Sequence, residues 1–417
     1  MESLKKAIDA FVNAFKIADL RKKLLFTLGV LIIYRIGAHI TIPGVNSAVL
    51  SVYFRNSNNL FGLYDSFTGG AFAKATVFAL GIMPYISASI IIQLMGAVIP
   101  AIQMLQKEGQ EGRAKLNQYT RYFTVVLAAL QGWGVSVWLS NLKVTTAAGT
   151  GISVLLEDFA SGMGNMGFRL LATLTFTTGT IFVMYLGEQI TSRGVGNGIS
   201  LIIFAGIVGG LPRAVFAELE MLANDIQPLA IEIFILALVV AIVGFIVFVE
   251  QANRRIPLQS PRRTVGTKTI GGQASYLPFK VNTAGVIPVI FASSIMFIPA
   301  MIASWMPNVS LAQSFAAAFV PGHISYSVIF ALLIIFFTFF YTAIQYNPND
   351  IAENLKKSGG FIPGYRPGKN TAEYIDYVLT RISLPGSIFL AFISVGPLHL
   401  KDALDMSFYI GGTSVLI

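Results

Sequence analysis

Residues 81–89 read Gly-Ile-Met-Pro-Tyr-Ile-Ser-Ala-Ser and residues 285–293 read Gly-Val-Ile-Pro-Val-Ile-Phe-Ala-Ser, with five of nine positions identical. The two copies lie 204 residues apart, about half of the 417-residue chain. A second pair, 198–203 and 412–417, matches at its first, third and last positions with an offset of 214 residues. Small and branched residues are common in membrane helices, so either match alone would be weak. Two matches at nearly the same offset favour an internal duplication.

The sequence around these stretches is strongly apolar. Hydrophobic residues make up 54% of the chain and charged residues only 12%, against roughly a quarter in a soluble domain, which excludes a soluble enzyme. Runs long enough to cross a bilayer as helices lie near 24–41, 75–98, 120–140, 168–188, 198–212, 229–249, 283–304, 326–346 and 374–397, and another begins at about 409. We predict an all-α polytopic membrane protein with ten spans, the tenth truncated at Ile417.

The duplication groups these spans into two sets of five. A unit with an odd number of spans enters the membrane in opposite orientations in its two copies, which predicts an inverted repeat. The predicted halves are 1–212 and 213–417. Folds of this kind place the working site between their halves, near the bilayer midplane.

The basic residues predict the orientation in the membrane. With the N-terminus in the cytoplasm, 21 Lys and Arg fall on the inner side and 6 on the outer side. Cytoplasmic loops carry the excess of Lys and Arg in multi-pass proteins, so we expect a cytoplasmic N-terminus.

The side chains used in catalysis and metal binding are scarce. The chain has no cysteine, and His39, His323 and His399 lie in separate segments without a second ligand at metal spacing. Gly364–Asn370 lacks the spacing and the hydroxyl of a phosphate-binding loop, and Gly194–Gly198 follows no predicted strand. We expect no enzyme activity, no cofactor and no metal.

Ionisable residues are nearly absent from the predicted spans. Proton- and sodium-coupled transporters usually keep acidic residues or histidine inside the membrane. Arg35 is the clearest intramembrane charge, and we interpret it as a structural residue paired with a carbonyl or with an acid on another span.

The repeated stretches carry branched apolar residues, in part as pairs four residues apart, which share one face of a helix. If these faces converge, they form a narrow ring that excludes water and ions. The alternative is that they are ordinary core or lipid-facing isoleucines. The candidates are Ile82, Ile86, Ile199, Ile203, Ile290 and Ile417.

Segment 57–74 is apolar in patches but too short and too polar to span. It is typical of a half-helix on the outer side that ends at Gly69-Gly70, because glycine accepts backbone angles that other residues resist. An ordinary interfacial loop helix is an equal alternative.

The inner loops 251–282 and 347–373 are long, basic and rich in Gly and Pro. Arginine binds carboxylates and phosphates through its guanidinium fork, which predicts docking surfaces for a protein partner or RNA, with lipid head groups as an alternative. The candidate docking residues are Arg254, Arg255, Arg262, Arg263, Lys356, Lys357 and Arg366.

Five stretches together resemble the SecY/Sec61-alpha family. They are Phe78–Gln93, Arg193–Ser200, Ala284–Pro288 with Phe291–Ser294, Asn354–Gly359 and Gly364–Gly368. The resemblance runs along most of the chain and implies a protein-conducting channel of the bacterial cytoplasmic membrane. Ten spans would form two halves around an hourglass pore, with a plug and with a lateral gate between the second and seventh spans.

The resemblance also implies roles for single residues. The six isoleucines would form the pore ring, and segment 57–74 would be the plug, including Phe61, Tyr64, Phe67, Gly69 and Gly70. The lateral gate would contain Ser87, Ser89, Gln93, Ser293 and Ser294.

The implied mechanism is passive conduction of unfolded polypeptides that bear a signal sequence, together with sideways release of membrane segments. Energy would come from partners. The implied partners are SecE-like and SecG-like subunits, the SecA motor ATPase, the ribosome with its rRNA phosphates, signal peptides, nascent chains and membrane lipids. A small-solute secondary transporter and an assembly scaffold without a pore remain the competing classes.

Overall fold

The computed structural model describes residues 16–56, 64–65, 68–145, 151–224, 228–259, 263–265, 268–270, 275–305, 318–319 and 323–404. Its helices are α1 (Ala18–Gly37), α2 (Ser47–Asn56), α3 (Met83–Val98), α4 (Pro100–Lys107), α5 (Gln110–Asn141), α6 (Glu157–Arg193), α7 (Gly198–Val208), α8 (Leu211–Ala223), α9 (Leu229–Gln251), α10 (Ile287–Trp305), α11 (Ile324–Gln345), α12 (Pro348–Lys357) and α13 (Lys369–Leu404). The predicted tenth run, with Ile417, lies outside the described residues.

The apolar helices confirm the prediction of a mostly helical, polytopic membrane protein. Among the described residues, α5, α6, α9, α11 and α13 are long and apolar enough to cross a membrane. A sixth span results if α3 and α4 count as one, although they meet at a bend of 107°. Helix α7 and the Ile287–Pro299 part of α10 are also apolar but shorter. The ten-span count stays a prediction.

Short antiparallel strands occur in the polar connections. Strand β1 (Lys143–Thr145) pairs with β2 (Gly151–Ser153), β3 (Asn253–Leu258) with β6 (Ser275–Lys280), and β4 (Arg263–Val265) with β5 (Lys268–Ile270). The sequence did not indicate these strands, because they lie in short basic or polar segments without a clear alternation of apolar residues.

Helix α3 is shorter than the apolar run that predicted it. The run extends over 75–98, whereas the helix begins only at Met83. Residues 71–82 form successive turns, because Ala75 (φ 45°) and Gly81 (φ 53°) have backbone angles that an α-helix excludes. Pro84 then occupies the first turn of α3, where its missing N–H costs no hydrogen bond.

The chain divides into two compact units. One contains Met1–Val215 and Ser294–His323, and the other contains Phe216–Ser293 and Ile324–Ile417. In the first unit, α5 packs on α3 and α6, and α6 packs on α1 and α7. In the second, α11 and α12 pack on α13. The division into halves at residue 212 stays a prediction.

Candidate pore and plug site

Local hydrogen bonds fold the end of the predicted plug segment. The structure describes Tyr64, Asp65 and 68–74 of this segment, and Phe61 and Phe67 lie outside the described residues. The Asp65 side chain accepts a hydrogen bond from the Ala73 backbone N–H at 2.7 Å, and its backbone carbonyl accepts one from Gly70 at 3.1 Å. Asp65 therefore closes two short loops, one to Gly70 and one to Ala73.

Tyr64 fixes this segment against its surroundings in the first unit. Its side chain is buried, and its hydroxyl donates a hydrogen bond to the Leu80 carbonyl at 2.7 Å. Its ring stacks on Phe297 at 4.4 Å and meets Phe72 edge-on at 5.0 Å. Phe72 in turn stacks on Trp138 at 6.0 Å. Aromatic pairs of this kind add about 0.5–1.5 kcal/mol each beyond the area they bury.

Arg35 pairs with backbone carbonyls, which confirms one of its two predicted kinds of partner. Its Nη1 donates to the Gly69 carbonyl at 3.2 Å and its Nη2 to the Gly209 carbonyl at 2.8 Å. Arg35 belongs to the last turn of α1, and Gly209 is the C-cap of α7. The sequence could not name these partners because both are main-chain atoms, 34 and 174 residues away.

Gly69 and Gly70 both have positive φ, at 65° and 86°. A Cβ added to Gly69 would overlap the carbonyl oxygen of Gly206 on α7. Glycine is therefore required at position 69 both by its backbone angle and by the close approach of another backbone.

Four of the candidate ring isoleucines lie in the first unit. Ile82 and Ile86, at the start of α3, are buried. On α7, Ile203 is buried and Ile199 is half-buried beside Gly187 of α6. The side chain of Asn197 caps α7 by accepting from the N–H groups of Ile199 (3.0 Å) and Ser200 (3.4 Å), which fixes where this helix begins. Ile290 is half-buried near the start of α10.

Three of the five predicted gate residues form hydrogen bonds within their own helices. Gln93 donates to the Ser89 hydroxyl at 3.1 Å on α3, and Ser293 donates to the Val289 carbonyl at 2.8 Å on α10. Ser87 is half-buried and Ser294 is buried. Such bonds let polar side chains lie in an apolar helix without an unsatisfied donor. The ring and gate assignments stay predictions.

The two predicted docking loops meet in the second unit, which the sequence did not indicate. Gln259 and Phe361, one from each loop, exchange two backbone hydrogen bonds of 2.9 Å. A small apolar core beneath them, the loop core, consists of Ile256, Phe279, Ile362, Ile375 and Leu379. Ile256, Phe279 and Ile362 are apolar residues within the polar loops, whereas Ile375 and Leu379 lie in the predicted span 374–397.

Five of the seven candidate docking residues have exposed side chains. Arg254 and Arg255 are exposed on β3, and Arg366 is exposed before α13. Lys356 and Lys357 are exposed on α12, Arg263 lies on β4, and Arg262 lies outside the described residues.

Among these, Lys357 has a carboxylate partner. Its Nζ lies 2.9 Å from Glu353 Oε1, one helical turn away, with both side chains largely exposed. The hydrogen bond and the positive charge of Lys357 lower the pKa of the Glu353 carboxyl below its ordinary value. Exposed pairs of this type contribute little to stability. Arg254, Arg255 and Arg366 are exposed as well.

A mostly helical chain with several apolar helices long enough to cross a bilayer is of the class of polytopic membrane proteins. The SecY family model matches residues 76–417. The chain is 48% identical to protein translocase subunit SecY of Pseudomonas aeruginosa, over 99% of this chain and 90% of that protein. It is 45% identical to the same subunit of Escherichia coli K12, over 96% and 89%. The chain belongs to the SecY family.

Solved structures agree with the fold. A structure described as a protein-conducting channel aligns with a TM-score of 0.62 and 18% identity, covering 95% of this chain and 88% of that one. Canine Sec61 in a ribosome-channel complex aligns with a TM-score of 0.57 and 16% identity, covering 95% and 88%. At identities this low, the two alignments show a shared fold.

Proposed function

We propose that the chain is the channel subunit of a bacterial protein translocase. It conducts unfolded polypeptides that bear a signal sequence across the cytoplasmic membrane and releases membrane segments sideways into the lipid. The observation that carries the proposal is the identity of almost half of all residues to SecY subunits, over nearly the whole chain.

The segment 57–74 is the plug in this proposal. A relative of known structure is described as having a plug domain that stabilises the closed state of the channel and maintains a membrane seal. The burial of Tyr64 and the hydrogen bonds at Asp65 and Gly69 support a segment that occupies one defined position in the closed state.

Conduction is passive in this mechanism. A signal sequence inserts at the gate residues of α3 and α10, the plug leaves its position, and the isoleucine ring closes around the moving chain. An apolar constriction of this kind excludes ions because water does not wet it. Since acidic residues are nearly absent from the predicted spans, energy comes from partners, and a small-solute secondary transporter is disfavoured.

The partners follow from the loop surface and the family. Canine Sec61 and yeast Ssh1 have been solved bound to ribosomes. We assign ribosome and SecA docking to the basic surface that contains Arg254, Arg255 and Arg366, whose guanidinium groups suit rRNA phosphates and acidic side chains. SecE-like and SecG-like subunits complete the translocase, and the N-terminus is cytoplasmic.

A crosslinking experiment tests conduction, because the chain has no native cysteine. A single cysteine replaces Ile86 or Ile203, and the full chain is expressed in membranes with a stalled secretory polypeptide that carries its own cysteine. We expect a crosslink from both positions that depends on the signal sequence.

Two further positions serve as controls. Leu174→Cys lies on α6 at a side chain that is 70% exposed and is not a proposed ring residue, and it should give no crosslink. Arg254→Cys, on the loop surface, should give a crosslink to a docked chain. Crosslinks at Arg254 but at neither isoleucine would mean docking without conduction along this path, and would reinstate the scaffold class.

A further inference from the structure

Arg35 connects three segments of the first unit, and the family assignment leaves this connection without a role. Its guanidinium binds the carbonyl oxygens of Gly69 and Gly209, which belong to the plug segment and to the end of α7. We call Arg35, Gly69 and Gly209 the Arg35 junction.

We propose that Arg35 is a positioning residue that holds the end of the plug segment against α7 in the closed channel. Breaking the Arg35 junction then frees the segment without disrupting the helices around it. The inference rests on the proposed role of residues 57–74 as the plug.

The electrostatics of the Arg35 junction explain why it is stable in an apolar environment. A charged side chain inside a membrane persists only where polar partners surround it. Gly209 ends α7, and the last carbonyls of a helix carry the partial negative charge of the helix dipole. The guanidinium fork can bind both carbonyl oxygens at once, which the single point charge of a lysine ammonium reproduces less well.

The packing around Gly69 explains why the connection controls position. Gly69 lies so close to Gly206 that a Cβ would overlap its carbonyl oxygen, so the segment and α7 touch backbone to backbone at this point. Helix α7 also carries Ile199 and Ile203, the proposed ring residues. The Arg35 junction therefore sets the distance between the plug segment and a ring helix, while the contacts of Tyr64 with Leu80 and Phe297 are between neutral groups.

A buried reporter beside the junction tests the inference independently of transport. Thr68 is 2% exposed and precedes Gly69, and Thr68→Cys introduces the first thiol into the chain. The rate of its reaction with a water-soluble maleimide is measured in membrane vesicles that contain the full chain. In the otherwise unchanged chain, we expect slow modification.

Arg35→Gln should raise the rate about tenfold or more, because the loss of a charge-assisted hydrogen bond shifts a local opening equilibrium by about that factor. Arg35→Lys keeps the charge and should restore part of the protection. The matched control is Arg169→Gln, since Arg169 is also half-buried in the first unit but donates to the Ser140 hydroxyl on α5 at 3.1 Å. This control should leave the rate unchanged.

Equal maleimide rates in the Arg35→Gln and Arg169→Gln chains would overturn the inference, whatever the ion leak of the vesicles. A raised rate without a raised leak would support the positioning role of Arg35 and instead overturn the sealing role of residues 57–74. Should Arg35→Gln fail to accumulate, Gly209→Ala provides the same test, because its Cβ would lie 2.6 Å from Arg35 Cζ and would displace the guanidinium. Unchanged protection in Gly209→Ala would also count against the junction.

Discussion

At the scale of single residues, the first unit depends on glycines at which backbones touch. A Cβ on Gly179 of α6 would overlap the carbonyl oxygen of Val77, in the turns that precede α3. Alanine at this position must therefore push α6 away from the turn or distort it, and an overpacked core costs about 1–3 kcal/mol. We expect Gly179→Ala to lower the apparent unfolding temperature of the purified full chain.

Gly29 provides the matched control for this prediction. It lies inside α1 with no atom within 4 Å of an added Cβ. Alanine is the better helix former by about 1 kcal/mol, so Gly29→Ala should leave the unfolding temperature unchanged or raise it. An equal fall of the unfolding temperature in both variants would show that the close approach of Gly179 to Val77 does not determine the effect of the added methyl group.

Arg35 and the isoleucines show how far single residues could be predicted. Arg35 is visible in the sequence as a charge in an apolar run, but its partners are carbonyl oxygens, which no side-chain pattern reveals. The isoleucine pairs at positions 82 and 86 and at 199 and 203 were predictable as candidates because the repeat marks them. Their burial depends on neighbours that are distant in the sequence, such as Gly187 beside Ile199.

At the scale of elements, hydropathy was enough to predict the long helices, because a segment of about 20 apolar residues satisfies its backbone only as a helix in lipid. The same signal failed at the start of α3, where Ala75 and Gly81 have positive φ in an apolar run. It also failed in the docking loops, whose structure comes from the loop core and from pairing between two segments about 100 residues apart, Gln259 with Phe361.

The loop core yields a prediction about the docking surface. Ile375 on α13 is fully buried in it, and replacing a buried isoleucine by alanine costs about 2–5 kcal/mol. In Ile375→Ala, the hairpin of β3 and β6 should open more often, and trypsin should cleave the basic loop 251–282 at least about tenfold faster in inverted membrane vesicles.

Leu384→Ala is the control on the same helix. Leu384 is 54% exposed, outside the loop core, so its truncation should leave the cleavage rate unchanged. Equal cleavage of the Ile375→Ala and original chains would mean that the hairpin holds its shape without the core beneath it, and docking would then not depend on Ile375.

At the scale of the whole molecule, the 21 to 6 distribution of basic residues predicts a cytoplasmic N-terminus and inner docking loops. Single cysteines at Arg254 on β3 and at Ile152 on β2 test this, since both side chains are exposed. A membrane-impermeant maleimide should label Arg254→Cys only in inverted vesicles and Ile152→Cys only in right-side-out vesicles. The opposite pattern would reverse the topology and remove the basic loops from the ribosome and SecA.

The duplicated element offers the sharpest test of how the closed channel excludes ions. Ile290 occupies the position in the second copy that Ile86 has in the first, and both are proposed ring residues. Replacing Ile290 by asparagine puts a polar amide into the constriction, so water enters more readily and the barrier to ions falls. Ile290→Asn should therefore raise the resting ion leak of reconstituted vesicles and allow export of chains with defective signal sequences. Ile298→Asn makes the same change on α10 at a side chain that is 44% exposed, and should do neither; equal leak in both variants would remove Ile290 from the ring.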